Sequence, residues 1–263
     1  EMQQYENKEQ VILKLMTSVL EKWHLQPQDI NDEFSEKTFA IYLKYVDGSK
    51  RFLLADEVAQ LEEFKFHLDD EIQDGRFDFF NLSRDLLIKA QERAEKMTHD
   101  ILSAPLNLSD VEYVELDGEK REFSESEEEL YEYWRRWLEH EVLQRYYTRV
   151  KKQEKRIENE EDFEPRPLDS LQMEAQTKVV EVFDKWFNRL EKRDRMDFLS
   201  TYLNVIANVY DPHTNFFEPK DKENFDISMS GKLEGIGARL RTDGEETTVV
   251  SIVPGSPSWK QGD

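Results

Sequence analysis

Two glycines flanking one apolar residue, in Gly235-Ile236-Gly237-Ala238, form the stretch of this sequence with the most definite chemical use. That spacing lets the backbone turn so that successive N–H groups converge on one concavity, which suits a carboxylate or phosphate oxygen. Ile236, Ala238 and Leu240 then alternate with Gly237, Arg239 and Arg241, the period of a half-buried strand that a peptide could pair beside. Loop and strand together point to recognition of a peptide's C-terminus by Gly235, Ile236, Gly237, Ala238 and Leu240. The same spacing also serves a bulge or a tight strand entry without any ligand. Short glycine patterns leave both readings open.

The other chemistry-bearing residues give less. Ser230 and Lys232 stand two apart, on one face of an expected strand, with no glycine elbow or helix start to expose a nucleophile or build an oxyanion hole. No catalytic residue is assigned. His140-Glu141 begins on a strongly helical stretch, but the position four further on is Gln144, so the two-histidine zinc pattern fails. His24, His67, His99 and His213 are scattered and read as surface or capping residues. No metal site or cofactor is expected. In Asp211-Pro212-His213-Thr214 the proline ends a helix, and polar neighbours are placed to hydrogen-bond the freed carbonyls. Trp134, Trp137, Tyr146, Phe183, Trp186 and Phe187 lie at helical spacings and read as core.

The elements that would position the loop change character just before it. Upstream, long segments with apolar residues at helical spacing and almost no glycine predict helices. They run over Lys8 to Trp23, Ser35 to Val46 with Ser35 as N-cap, Asp56 to about His67, Phe77 to Leu102, Asp169 to Lys192, and Asp194 to Tyr210. Ser126 and Glu129 have capping-box spacing and open the most periodic helix, whose charged end from Lys151 to Asp162 reads as solvated. Val111 to Leu116 and Glu119 to Phe123, joined by Asp117-Gly118, predict a small β-hairpin insertion. After Asp226, strands are expected near Ile227 to Met229, Leu233 to Arg241 and Thr247 to Val253, with Thr242-Asp243-Gly244-Glu245 turning the last pair. The fold class is mainly α: a multi-helix domain over 1–215, then a linker and the first strands of a β domain over 216–263.

The 263 residues carry a formal net charge of −22 with 36% charged residues, a field that disfavours nucleic acid and anionic membranes. With no cysteine, disulfides and thiolate metal sites are excluded. No apolar segment approaches the roughly 20 residues of a bilayer span.

Asp211-Pro212-His213-Thr214-Asn215, Phe225, Met229-Ser230 and Leu233-Glu234-Gly235-Ile236-Gly237-Ala238 resemble the entry into the PDZ domain of the tail-specific proteases, the carboxy-terminal processing serine peptidases, in their large Gram-negative periplasmic form. Phe34-Ser35-Glu36-Lys37-Thr38-Phe39, Tyr42-Leu43 and Leu53-Leu54-Ala55-Asp56-Glu57-Val58 resemble the family's N-terminal helical domain. The resemblance implies a periplasmic endopeptidase that recognises proteins by their C-termini, with unfolded or C-terminally exposed proteins as substrates and an adaptor protein as a further partner. It also implies a signal or anchor sequence ahead of Glu1, and a peptidase core after Asp263 that carries the Ser and Lys, so that this stretch alone is inactive. A non-enzymatic helical and PDZ-like interaction module is the alternative.

Overall fold

The computed structural model describes residues 2–109, 113–218, 222, 236–243 and 246–261. The chain forms two compact units, Glu1–Phe216 and Phe217–Asp263.

The first unit is helical among its described residues: α1 (Met2–Trp23), α2 (Asp32–Asp47), α3 (Ala55–Glu62), α4 (Leu68–Asp74), α5 (Asp78–Leu102), α6 (Glu127–Asn159), α7 (Leu168–Glu191) and α8 (Arg195–Tyr210). Their ends are set by local chemistry. The Asn31 side chain accepts the Phe34 N–H and starts α2, Ser126 accepts the Glu129 N–H at the head of α6 while Glu129 accepts the Glu125 N–H, and Asp194 and Asp197 form a reciprocal box on α8. Gly75, at φ 73°, closes α4 in the left-handed conformation.

Ser35 is not the cap that its type suggests. It lies buried inside the first turn of α2, accepts the Asp69 N–H at 2.8 Å and donates to the Asp69 carboxylate at 2.6 Å, so it satisfies the start of α4 instead. Nor does α3 run to His67. It ends at Glu62, and the chain continues through turns closed by bonds from Phe64 N–H to the Leu61 carbonyl and from His67 N–H to the Phe64 carbonyl.

The core has two aromatic centres. Phe34, Phe39, Tyr42, Phe79, Phe80 and Tyr202 fill the space between α2, α5 and α8, where the Tyr42 hydroxyl shares a 2.8 Å bond with Ser83. Phe52, Trp134, Trp137, Phe183, Trp186 and Phe187 form the second, with Trp134 Nε1 donating to the Arg51 carbonyl and the Arg51 guanidinium 3.8 Å from the Trp137 ring centre. Trp137 meets Phe183, and Gln153 exchanges two hydrogen bonds with the Arg166 backbone. Helices α6 and α7 are therefore antiparallel. Arg156 and Glu160 pair along the exposed end of α6, which stays helical to Asn159.

The expected hairpin is not formed among the described residues of that stretch; Val111 lies outside them. Residues 113–117 and 121–123 are not in strands, and Gly118–Lys120 is one 3-10 turn. Glu115 accepts the Asp117 N–H, the Asp117 carboxylate accepts the Glu119 N–H, and the Asp117 carbonyl accepts the Lys120 N–H. Such local bonds satisfy backbone groups that a ladder would otherwise use. The turn is held against the α2–α3 connection: Gly118 sits on the Gly48 carbonyl where a Cβ would not fit, Arg121 stacks 3.2 Å from the Tyr133 ring centre, and Arg121 also donates to the Ser49 carbonyl.

In the second unit, β1 (Ala238–Asp243) and β2 (Glu246–Ile252) pair antiparallel, and a short helix, α9 (Pro257–Gln261), follows. The register slips between Arg239 and Leu240, so that Arg239 faces Ser251 while Leu240 faces Val249, leaving Val250 as a bulge. The expected strand at Ile227 to Met229 and the turn residues Gly244 and Glu245 lie outside the described residues.

Candidate functional site

Of the five residues assigned to C-terminus recognition, Gly235 lies outside the described residues and the other four form one continuous entry into β1. Gly237 has φ 76°, a conformation in which side-chain-bearing residues are strained. A Cβ at this position would also overlap the Ser256 side chain. Two independent reasons thus require glycine here.

The carbonyls on either side of this position are taken. The Ile236 carbonyl accepts the Ser258 N–H at 3.0 Å and the Gly237 carbonyl accepts the Val253 N–H at 2.7 Å. In a trans peptide the C=O and the following N–H point in opposite directions, so the N–H groups of Gly237 and Ala238 face away from the Val253 to Ser258 segment. The ladder gives the same result for Ala238. The Val253 to Gly237 bond makes Ala238 and Ile252 a non-hydrogen-bonded pair, whose N–H and C=O groups point to the outer edge of the strand. Among the described residues no strand pairs on that edge.

Beside the loop, Ile236 is 61% and Leu240 52% exposed, so the site pairs two outward amides with two apolar side chains. The two amides can donate to an anion, which is the chemistry of a carboxylate holder. Ser256 is the residue that the sequence reading missed. Its Oγ accepts the Trp259 N–H at 3.3 Å and lies 3.4 Å from the Gly237 carbonyl. A serine directly before a proline is an ordinary helix start, which marks Ser256 as a cap but not as a neighbour of Gly237.

The remaining candidates separate cleanly. Ser230 and Lys232 lie outside the described residues. His140 shares a 2.7 Å bond with Gln144 on α6, and the described residues contain no group of three His, Cys, Asp or Glu able to hold a metal. No helix among them is long and apolar enough to cross a membrane. The Trp and Phe residues of α6 and α7 are core, as expected.

At the end of the helical unit, Asp211 to Phe216 is bound back to α8. Asp211 accepts the His213 and Thr214 N–H groups, Asn208 donates to the Thr214 carbonyl, and Asn204 bonds both the carbonyl and the N–H of Phe216. Gln28 meets the freed carbonyls of Val209 and Tyr210, and His24 contacts the Thr214 hydroxyl at 3.3 Å. His213 itself contributes its backbone.

Residues 16–220 match the family described as the tail specific protease N-terminal domain. The chain belongs to that family. The helical unit just described is thus a member of a known domain class, and similarity runs beyond it. The chain is 25% identical over 256 residues to the Tail-specific protease of Haemophilus influenzae, an alignment covering 95% of this chain and 33% of that protein. A shorter stretch of 58 residues is 33% identical to the Carboxy-terminal processing protease CtpA of Bacillus subtilis, covering 22% of this chain and 12% of that protein. The chain spans about a third of the length of the Haemophilus relative.

Proposed function

We propose that these residues are the N-terminal helical domain and the first part of the PDZ domain of a periplasmic serine endopeptidase that recognises proteins by their C-termini and degrades or processes them. The observation that carries the reading is the Gly237 turn, whose carbonyls are occupied on one side and whose Gly237 and Ala238 amides are turned to the other. In this reading the amides of Ile236, Gly237 and Ala238 hold the substrate's terminal carboxylate, while its last residues add a strand along the outer edge of β1. Ile236 and Leu240 contact the terminal side chain. Membership of the tail-specific protease domain family and the similarity to two named proteases support placing this recognition in a peptidase.

The serine nucleophile and its lysine base belong, in this account, to a part of the protein outside these 263 residues. Unfolded or C-terminally exposed proteins are the substrates, and adaptor proteins are partners of the helical domain. The test is a comparison of hydrolysis. The full-length protein should cleave an unfolded protein with an apolar C-terminus, residues 1–263 should not, and Ser230→Ala should leave the full-length rate unchanged. Turnover by residues 1–263 that Ser230→Ala abolishes would place the nucleophile here and overturn the assignment.

A further inference from the structure

The β1–β2 ladder has two chemically distinct sides. Opposed residues of an antiparallel pair share a face, so Ala238 with Ile252 and Leu240 with Val249 lie on one side, and Arg239 with Ser251 and Arg241 with Thr248 on the other. The bulge at Val250 shifts β2 by one residue between these pairs, and each β1 position still meets a partner of its own kind. The first side is apolar here and the second polar. A sheet divided in this way turns its apolar side to the rest of its domain and its polar side to water, so the arginine side is the one that the rest of the protein leaves open. Arg239 and Arg241 are both exposed, and neither has an ion-pair partner among the described residues.

With a terminal carboxylate on the Ile236 to Ala238 amides, the register of a peptide on this edge follows. Its end is held where β1 begins, so it runs antiparallel to β1. Ala238 turns both its N–H and its C=O outward, the first to the carboxylate and the second to the N–H of the last peptide residue, which makes these two an opposed, hydrogen-bonded pair. Each step back along the peptide is then one step forward on β1. The penultimate residue stands opposite Arg239, the one before it opposite Leu240, and the next opposite Arg241. Arg239 and the penultimate residue form a non-hydrogen-bonded pair, the closer kind, with about 4.5 Å between Cα atoms. Their side chains share the polar face, where opposite charges attract and like charges repel. Arg241 stands nearer the end of the ladder where Asp243 pairs with Glu246, which leaves Arg239 as the main selector.

We propose that Arg239, supported by Arg241, selects substrates that carry an acidic residue directly before the C-terminal one. The inference rests on the carboxylate reading of the Gly237 turn and adds the kind of tail that the turn accepts. It is tested on the full-length protein by fluorescence anisotropy, with three free-acid peptides that end in the same apolar residue and differ only in the residue before it, glutamate, alanine or lysine, and with the amide of each. The net charge of −22 favours the lysine peptide at long range. The comparison is therefore made at about 0.15 M salt, where fields beyond about 8 Å are screened and a cross-strand contact is not. The glutamate peptide should bind about fivefold more tightly than the lysine peptide, with alanine between them. Arg239→Gln should flatten that ranking and Arg239→Glu should reverse it, both keeping the preference for free acid over amide. Equal affinity for the three free acids, or a ranking that neither substitution alters, would overturn the selection and, with free acid still preferred over amide, leave the carboxylate reading standing. Equal affinity for acid and amide forms would overturn both.

Discussion

The side-chain amide of Asn204 holds the backbone of Phe216 from both sides, with Nδ2 donating to its carbonyl at 3.1 Å and Oδ1 accepting its N–H at 2.7 Å. A segment that has left α8 is thereby bound as if the helix continued, and Phe216 packs on the core. Asn204→Leu keeps the branched shape of the side chain and removes both bonds. It should cost about 1–3 kcal/mol, the usual range for stranding such groups, and should speed hydrogen exchange at the Phe216 amide with the helices intact. An unchanged exchange rate there would show that the segment is held by its apolar contacts alone.

The Glu57 and Arg93 pair joins α3 to α5 through bonds of 2.9 and 2.8 Å, with both side chains nearly enclosed, and Arg93 also donates to the Phe52 carbonyl while Glu57 accepts the Leu54 N–H. Removing one partner leaves a charge without compensation. Arg93→Met should destabilise the helical unit by about 3–5 kcal/mol, and Glu57→Gln added to it should recover part of that loss. Denaturant unfolding of the four proteins gives the coupling directly, and additive losses would contradict a paired role.

Asp47 ends α2 and accepts the N–H groups of Arg51, Phe52 and Leu53. Burial pushes its carboxyl up to about 6 in spite of these donors and of nearby Arg121. Because this is above the unfolded value of about 3.9, the native state holds more protons between pH about 4 and 6. In that window the group's contribution to stability therefore falls as pH rises. Carbonyl-detected titration should find Asp47 at about 6, and Asp47→Asn should flatten the pH dependence of unfolding across the window. A titration near the ordinary carboxylate range would mean that the three backbone donors outweigh burial.

Where sequence and structure agree, the signal is local. Ser126 with Glu129 and Asp194 with Asp197 satisfy nearby backbone groups and mark their helices in the sequence. Where they differ, the decisive partner is distant. Ser35 has the type of a cap but serves Asp69, 34 residues away, and the Asp117-Gly118 turn owes its form partly to Gly48, Ser49 and Tyr133. Glycine spacing made the Gly235 to Ala238 loop visible. Its dependence on Ser256 was not, because that contact spans 19 residues and no periodicity encodes it.

The central claim, that this loop takes a terminal carboxylate, is tested most directly by the affinity of the full-length protein for one apolar peptide as free acid and as amide. The free acid should bind roughly ten- to a hundredfold more tightly, since charge-assisted hydrogen bonds contribute about 1.5 to 3 kcal/mol. Gly237→Val should erase the difference, because the left-handed backbone and the Ser256 side chain leave no room for a branched residue. Equal affinity of the unaltered protein for acid and amide would show that the loop is a strand entry without a ligand.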